Sequence, residues 1–503
     1  MSAERWDVIV VGAGHNGLAA ATVLAREGYS VLVLERREEV GGLRAGLTFH
    51  PGYRHTGIHH EAVLSQGVVD QLDLASHGLT LRAPPPVACA GGGGSVLVEP
   101  AELEAVGCGA GWRHLGALVE RIAPFVQRLV RDPVPRLDPD APLWPLLERA
   151  VALRRLGADT LGELVHVLGA SAEAWLLPLF PDPRVRAGLM LPGLAWGYAG
   201  PSDPRSAALV LHQIALGGSE VVGGPAALVA ALLAVARARR VEIRTGAEVA
   251  RIVVERRAVR GVDLRDGARI AADRVVSAVD PRRTLLDLLP PLSLAPSVED
   301  EIRAFRVRTV VAKLHLALSQ PPVIAGRTSP IERFRVVADP AALDRALAVA
   351  RQGWIPTAPA LDVRIPSLAD PTLAPPGHAV LSAIVYGVPP APVEGWSRSV
   401  RKQLVEASLS MLAAVCPTIA DTVVASELVV SPEIEARYGV SGGHPMHGEL
   451  ALDQLWVGRP GPLLSRSRAP LPGVFLASSG THPGGSLTAA SGILAARAVL
   501  DAS

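Results

Sequence analysis

The stretch Asp7–Gly42, DVIVVGAGHNGLAAATVLAREGYSVLVLERREEVGG, limits what this chain can fold into more than any other. Asp7–Val11 is a β-branched run, too short for a helix and suited to a buried parallel strand. Gly12, Gly14 and Gly17 then spell G-x-G-x-x-G. A helical period runs from Leu18 to Glu27, Gly28 stops it, and Val31–Leu34 reads as a second strand closed by Glu35. Strand, glycine turn and helix in this order build a dinucleotide site. Gly12 permits the tight turn, Gly14 lets the backbone approach a pyrophosphate, and Gly17 lets the helix pack on the strand. Free N–H groups at the helix start favour the phosphates. Glu35, about 20 residues on, can accept hydrogen bonds from a ribose and would repel a 2′-phosphate.

A similar pattern closes the chain. LASSGTHPGGSLTAASG, Leu476–Gly492, follows an apolar strand at Val474–Ala477 and leads into a helix pattern starting near Ser486. Gly484 and Gly485 would let the backbone approach a ligand there, and the helix N-terminus would favour negative charge. A chain of 503 residues needs two or more domains, so both turns can belong to one of them.

Composition excludes several classes. A net charge of +1 gives no basic excess for nucleic acid. Cys89, Cys108 and Cys416 form no C-x-x-C pair, which fits a reducing compartment without a disulfide framework. MSAERW runs straight into a strand, so no secretory leader and a cytoplasmic location are expected. The most apolar run, Ala226–Ala236, has about half the length of a bilayer span. Contact with a membrane face stays open, although the sequence shows no lysine- or tryptophan-rich amphipathic pattern.

The continuation EVGGLRAG, with the two glycine turns, resembles the two-dinucleotide-fold flavoproteins. It is most similar to the phytoene desaturase-like branch of the FAD-dependent oxidoreductases, relatives of the flavin amine oxidases. Two further blocks carry the resemblance, Gly217–Pro281 and Tyr438–Pro460. It implies an α/β fold: a discontinuous Rossmann-like FAD-binding domain from 1–80, 217–290 and 440–503, and an interleaved α+β substrate domain from 81–216 and 291–439. The first insert is helical and apolar. The second is strand-like, as in TVVAKLHLAL and HAVLSAIVYGV.

The same resemblance implies where FAD is touched. The phosphates meet Gly12, Ala13, Gly14, Asn16 and Gly17, and the adenosine ribose meets Glu35 with Arg36 beside it. Gly41, Gly42, Leu43 and Arg44 follow the ribityl and pyrophosphate region. The family usually reads GG-x-x-R-T where this chain has GGLRAG. Gly57 and Ile58, in GYRHTGIHHE, belong beside the ring system. Val249 contacts the adenine through its backbone, and Ser277 and Ala278 form a nearby turn. Gly480, Gly485, Ser486 and Leu487 take the reactive end. No cysteine lies in that closing turn, so FAD is expected to be noncovalent. A second G-x-G-x-x-G is missing, so electrons are expected to leave to oxygen or a quinone.

Four residues are candidates for the chemistry. Lys313 is one of only two lysines, with Lys402, and sits inside an apolar strand pattern. A buried lysine can lose its proton and hold a water, as a strand lysine does in the related amine oxidases. The plainer alternative is a lysine turned to solvent with its stem packed. His59, with His60 as its rival, suits proton transfer or the shaping of a substrate tunnel. His482 either fixes the last turn or takes part directly. His447 forms an H-x-x-H pair with His444, but without a third ligand no metal is expected.

The leading reading is a flavin-dependent desaturase or dehydrogenase. It removes hydride and a neighbouring proton from a hydrophobic polyene, lipid or secondary-metabolite precursor. A flavin amine oxidase, a non-redox polyene isomerase and a prenyl-type binding protein are the alternatives.

Overall fold

Two large sheets organise the chain. The structure is a computed structural model that describes residues 4–91, 94–136, 140–485 and 489–502. The first sheet collects strands from three distant stretches. Arg5–Val11 lies between Val31–Leu34 and Arg269–Ser277, parallel to both. Glu242–Arg244 continues the sheet beyond Val31–Leu34. Val474–Leu476 joins Arg269–Ser277 in parallel, Val275 facing Val474 and Ser277 facing Leu476. Val8, Ile9 and Val10 are fully buried, which is why the first strand reads as an unbroken apolar run.

Three helices, His15–Arg26, Gly224–Ala238 and Ala490–Leu500, pack in one apolar cluster with these strands through Leu18, Val23, Leu228, Leu232, Ile493 and Val499. The first and last of them touch so closely that a Cβ on Gly492 would stand 2.1 Å from the Asn16 carbonyl oxygen. An antiparallel arm, Val249–Glu255 and Ala258–Leu264, leads into Arg269–Ser277. Its turn falls at Arg256 and Arg257, both at positive φ.

The second sheet runs in the order 423–429, 311–318, 379–386, 360–364, 333–336, 88–91, 94–97. All pairings are antiparallel except Arg333–Val336 with Ala88–Gly91. One face is apolar, with Leu314, Leu316, Leu381, Val363 and Phe334 in one core cluster. The opposite face carries a continuous polar row: Arg333 faces Arg364, Arg364 faces Ser382, Ser382 faces His315, and His315 faces Glu427. Lys313 and Asp362 flank that row, both paired with Ile384.

Some boundaries differ from the sequence reading. The first helix starts at His15 rather than Leu18. Polar His15 and Asn16 interrupt the apolar period but occupy a first turn whose N–H groups have no intrahelical partner. The last helix is described from Ala490 rather than from near Ser486; Ser486 and Leu487 lie outside the described residues.

Candidate functional site

A cleft of about 960 Å³, partly open to solvent, runs along the first glycine turn. Gly12, Gly14, Asn16, Gly41, Gly42 and Leu43 line one side. Gly12 has φ +98° and Gly41 φ +114°, backbone that glycine adopts without strain. The two loops lie against each other: the Gly41 N–H donates to the Ala13 carbonyl at 2.9 Å, and Gly14 and Gly41 form a parallel bridge. A Cβ on Gly14 would meet nothing within 4 Å, so the turn leaves an open cradle at the helix N-terminus. A Cβ on Gly17 would stand 2.0 Å from the Gly12 oxygen. Gly17 therefore serves close packing and does not line the cleft.

Glu35 is buried at the end of its strand and lines the cleft. One carboxylate oxygen accepts the Ala13 N–H at 2.8 Å and the other the Arg37 N–H at 3.0 Å. An ionised carboxylate has about four acceptor sites, so capacity remains for two ribose hydroxyls. Ala13 thus acts on the site through Glu35. Arg36, Val249 and Ala278 also line the cleft. Burial lowers the Arg36 pKa, and its guanidinium donates to the Ala436 carbonyl at 2.9 Å.

The closing turn reaches the same cleft through Ser479, which the sequence reading missed. Asn16 Nδ2 donates to Ser479 Oγ at 3.3 Å and ties the two ends of the chain together. The Asn16 Oδ1 atom is buried without a hydrogen-bond partner, an acceptor left for a ligand. Asp280 was missed as well. It lines the cleft and accepts from Ser441 and from the Arg282 and Arg283 N–H groups, while burial raises its pKa. The D-P pair that follows the strand, Asp280–Pro281, was its only sequence signal.

Several expected contacts lie behind the wall instead. The Ser277 hydroxyl bonds Thr284 Oγ1 at 2.7 Å. The Ile58 N–H donates to the Leu43 carbonyl at 2.9 Å, and Gly57 donates to His55 Nδ1 at 2.9 Å. A Cβ on Gly480 would meet Pro281 at 2.3 Å. These residues position the loops without lining the cleft.

A second cavity, about 730 Å³, adjoins the first. His59 lines both. Leu43 faces the first and Arg44 the second; Pro445 and His447 face the first and Met446 the second. Gly485 belongs to the second cavity, so the two glycine turns sit on neighbouring cavities with a shared wall. The lining of the second cavity mixes apolar Pro192, Ala195, Trp196 and Ile384 with polar His60, Glu61, Gln213, Arg333 and Asp362. Burial pushes Arg44 down to about 10, with Glu61 opposing that shift, and Arg44 donates to the Glu61 carbonyl at 2.5 Å.

Lys313 is 1% exposed, which overturns the solvent-facing alternative. Its Nζ lies 2.9 Å from His60 Nδ1. Burial pushes its pKa down to about 7 against the pull of Asp362 and Glu61. It reaches the second cavity through His60. Burial also holds His59 and His60 well below the usual histidine value, so both are neutral. His59 Nε2 lies 3.1 Å from the Pro445 carbonyl, which can only accept, so that nitrogen carries the proton. Burial pushes the Glu61 carboxyl up, but Arg333, Arg364 and Arg335 draw it further down.

The other histidines separate from the chemistry. His482 lines neither cavity; its Nε2 bonds the Asp132 carbonyl at 3.1 Å, and burial holds it near 4. His447 lines the first cleft at about 4, and His444 is buried at about 3, both lowered by burial and then by Arg459. Arg459, also missed, is fully buried and donates to the Met446, Gly448, Glu449, Gln454 and Ser479 carbonyls. It locks the segment that carries His447 to the closing turn.

Two groupings among the described residues have metal-like composition. His55, His315 and Glu427 bring their ligand atoms within 4.8 Å, but the two rings stack at 4.1 Å and 10°. Stacked rings aim their lone pairs side by side rather than at one point. In the second, His60, Glu61 and Asp362, the acids pair with Arg333 and Arg335.

Comparison with known proteins agrees with this geometry. Residues 164–500 match the model for flavin containing amine oxidoreductases, and residues 10–61 match an NAD(P)-binding Rossmann-like domain. The chain is 29% identical to the mouse pyridine nucleotide-disulfide oxidoreductase domain-containing protein 2, covering 98% of this chain and 93% of that one. It is also 29% identical to hydroxyneurosporene desaturase of Cereibacter sphaeroides, covering 98% and 97%. A putrescine oxidase variant shares the fold at a TM-score of 0.60 and 17% identity, covering 99% and 98%. The open cradle at Gly14, the spare acceptor capacity of Glu35 and the unpartnered Asn16 oxygen fit a dinucleotide, and the chain belongs to the flavin containing amine oxidoreductase family as an FAD-dependent oxidoreductase.

Proposed function

We propose that the chain is a dehydrogenase of the desaturase type, acting on a substrate with an apolar body and one polar end. The sequence reading expected a hydrophobic substrate; the charged residues in the lining of the second cavity are the reason for the polar end. Burying an unpaired hydrocarbon against charged groups would cost free energy, whereas a polar end can replace their lost water.

Bound FAD supplies the hydride acceptor for such a reaction. The chain supplies the place for the substrate and a base for the second hydrogen, which leaves as a proton while the double bond forms. The observation that carries this reading is the wall shared by the two cavities, with His60 lining the second and Lys313 behind His60. Trp196, Ile384 and Pro192 take the apolar body. His60 accepts the proton at one nitrogen and passes the proton on Nδ1 to the Lys313 amine. An amine near 7 can take it at neutral pH. His59 keeps its Nε2 proton on Pro445 and orients the substrate.

The test is anaerobic bleaching of the flavin absorbance with a panel of amphipathic alkenes, hydrocarbon polyenes, lipids and amines. Reoxidation is then followed with oxygen and with quinones. Bleaching by amphipathic substrates, with products two mass units lighter, is expected from loss of two hydrogens. Bleaching only by amines, with hydrogen peroxide released, contradicts the proposal. So does a product of unchanged mass.

A further inference from the structure

The helix Trp144–Arg154 faces the wrong way for a surface helix in water. None of its residues is buried. Leu143, which precedes it, is 76% exposed, Trp144 69% and Leu147 53%; Leu146, Val151 and Leu153 are exposed as well. At 100° per residue these side chains, with Ala150, fill one half of the helix circumference. The other half carries Pro145, Glu148, Arg149 and Ala152, and these are the partly buried positions. Glu148 pairs with Arg128, and Arg149 donates to the Pro133 carbonyl at 3.0 Å. The helix therefore packs its polar side on the body and turns its apolar side outward. The next helix, Ala158–Gly169, exposes Val165 and Leu168 too.

Charge identifies what covers this face. The single acid of the segment, Glu148, is half-exposed at the edge of the polar half, where its charge is paired with Arg128. The outward arc ends instead in Arg154 and Arg155, both exposed. An apolar arc bounded by arginines and free of acids, with tryptophan at the opposite end, matches the interface of an anionic bilayer. No helix among the described residues is long and apolar enough to cross a membrane, so this one would lie on it. Its length is about 16 Å at 1.5 Å per residue.

We propose that Leu143–Arg155 docks the protein on an anionic lipid surface, inserting Trp144, Leu147 and Val151 and placing Arg154 and Arg155 at the headgroups. This inference does not depend on the substrate reading. The direct test is flotation of the FAD-loaded protein with vesicles of phosphatidylcholine and phosphatidylglycerol, compared with phosphatidylcholine alone. The wild type should float with the anionic vesicles and be released by high salt. The double substitution Leu147→Glu, Val151→Glu should weaken partition at least about tenfold with FAD content unchanged. Independently, vesicles should shift the tryptophan emission to the blue, and Trp144→Phe should remove that shift. No flotation of the wild type, flotation untouched by the double substitution, or a shift that survives Trp144→Phe each overturns the proposal. A dimer in sedimentation that the double substitution dissociates, without flotation, would assign the face to a second copy of the chain instead.

Discussion

At the scale of single residues, Lys313 separates what a sequence shows from what it hides. Its rarity is legible, since almost all other basic residues are arginines. Its burial is not, because a lysine between apolar neighbours also fits a strand with one face in water. The structure places it 2.9 Å from His60, at about 7. Only the neutral amine can accept a proton, and that form dominates above about 7. Flavin reduction by a productive substrate should therefore speed up as pH rises through about 7, in stopped-flow traces. Lys313→Met should abolish that limb and slow the plateau; a limb that persists removes Lys313 from proton transfer. Glu35 makes the opposite point. Its spacing from the glycines announced it, and the structure adds only the Ala13 and Arg37 N–H groups that aim it. Arg459 had no sequence signal at all, because a buried arginine bound to carbonyls is written like an exposed one.

Among the elements, the strands were easier to read than their faces. Val31–Leu34 falls where its apolar run predicts. In two strands of the second sheet, polar and apolar residues alternate: Arg333 and Arg335 around Phe334, Lys313 and His315 around Leu314. Such alternation ordinarily marks a sheet with one wet face. Here that face is buried, and its charges are paired across strands and with the rest of the chain. Arg364 meets Glu220 and Glu332, and Arg82 meets the same two acids. Sequence cannot tell a solvated polar face from a buried, paired one, because the partners lie far apart along the chain. Removing one partner leaves a buried charge behind. Arg364→Leu should cost about 3–5 kcal/mol in urea unfolding; a loss below about 1 kcal/mol would mean the network is solvated.

For the molecule as a whole, burial of histidines sets a pH limit. Burial depresses His15, His59, His60, His212, His315, His444, His447 and His482. Their folded values lie below the unfolded value near 6.5, so below that pH the unfolded chain binds more protons. Stability is lost as pH falls through this window, by up to about 1.4 kcal/mol per pH unit for each histidine. Tm should drop steeply from about pH 6.5 to 5 in a thermal scan; a flat Tm would mean these rings are solvated.

We propose the division into an FAD-binding part and a substrate part along the lines of the two sheets. The glycine turns made the first part legible, since each residue type there has one geometric purpose. Beyond His59 and His60, the polar lining of the second cavity stayed illegible because Gln213, Arg333 and Asp362 come from three separate segments and share no motif. We propose that the first and last turns enclose one FAD molecule, its phosphates at Gly14 and its ring toward Gly485. The most direct measurement is FAD affinity by calorimetry, comparing the purified wild type with Gly14→Val and Gly485→Val. The wild type should bind one equivalent tightly and appear yellow, and both folded variants should lose that binding. A wild type that stays colourless with added FAD, or a Gly14→Val protein as yellow as the wild type, contradicts the account.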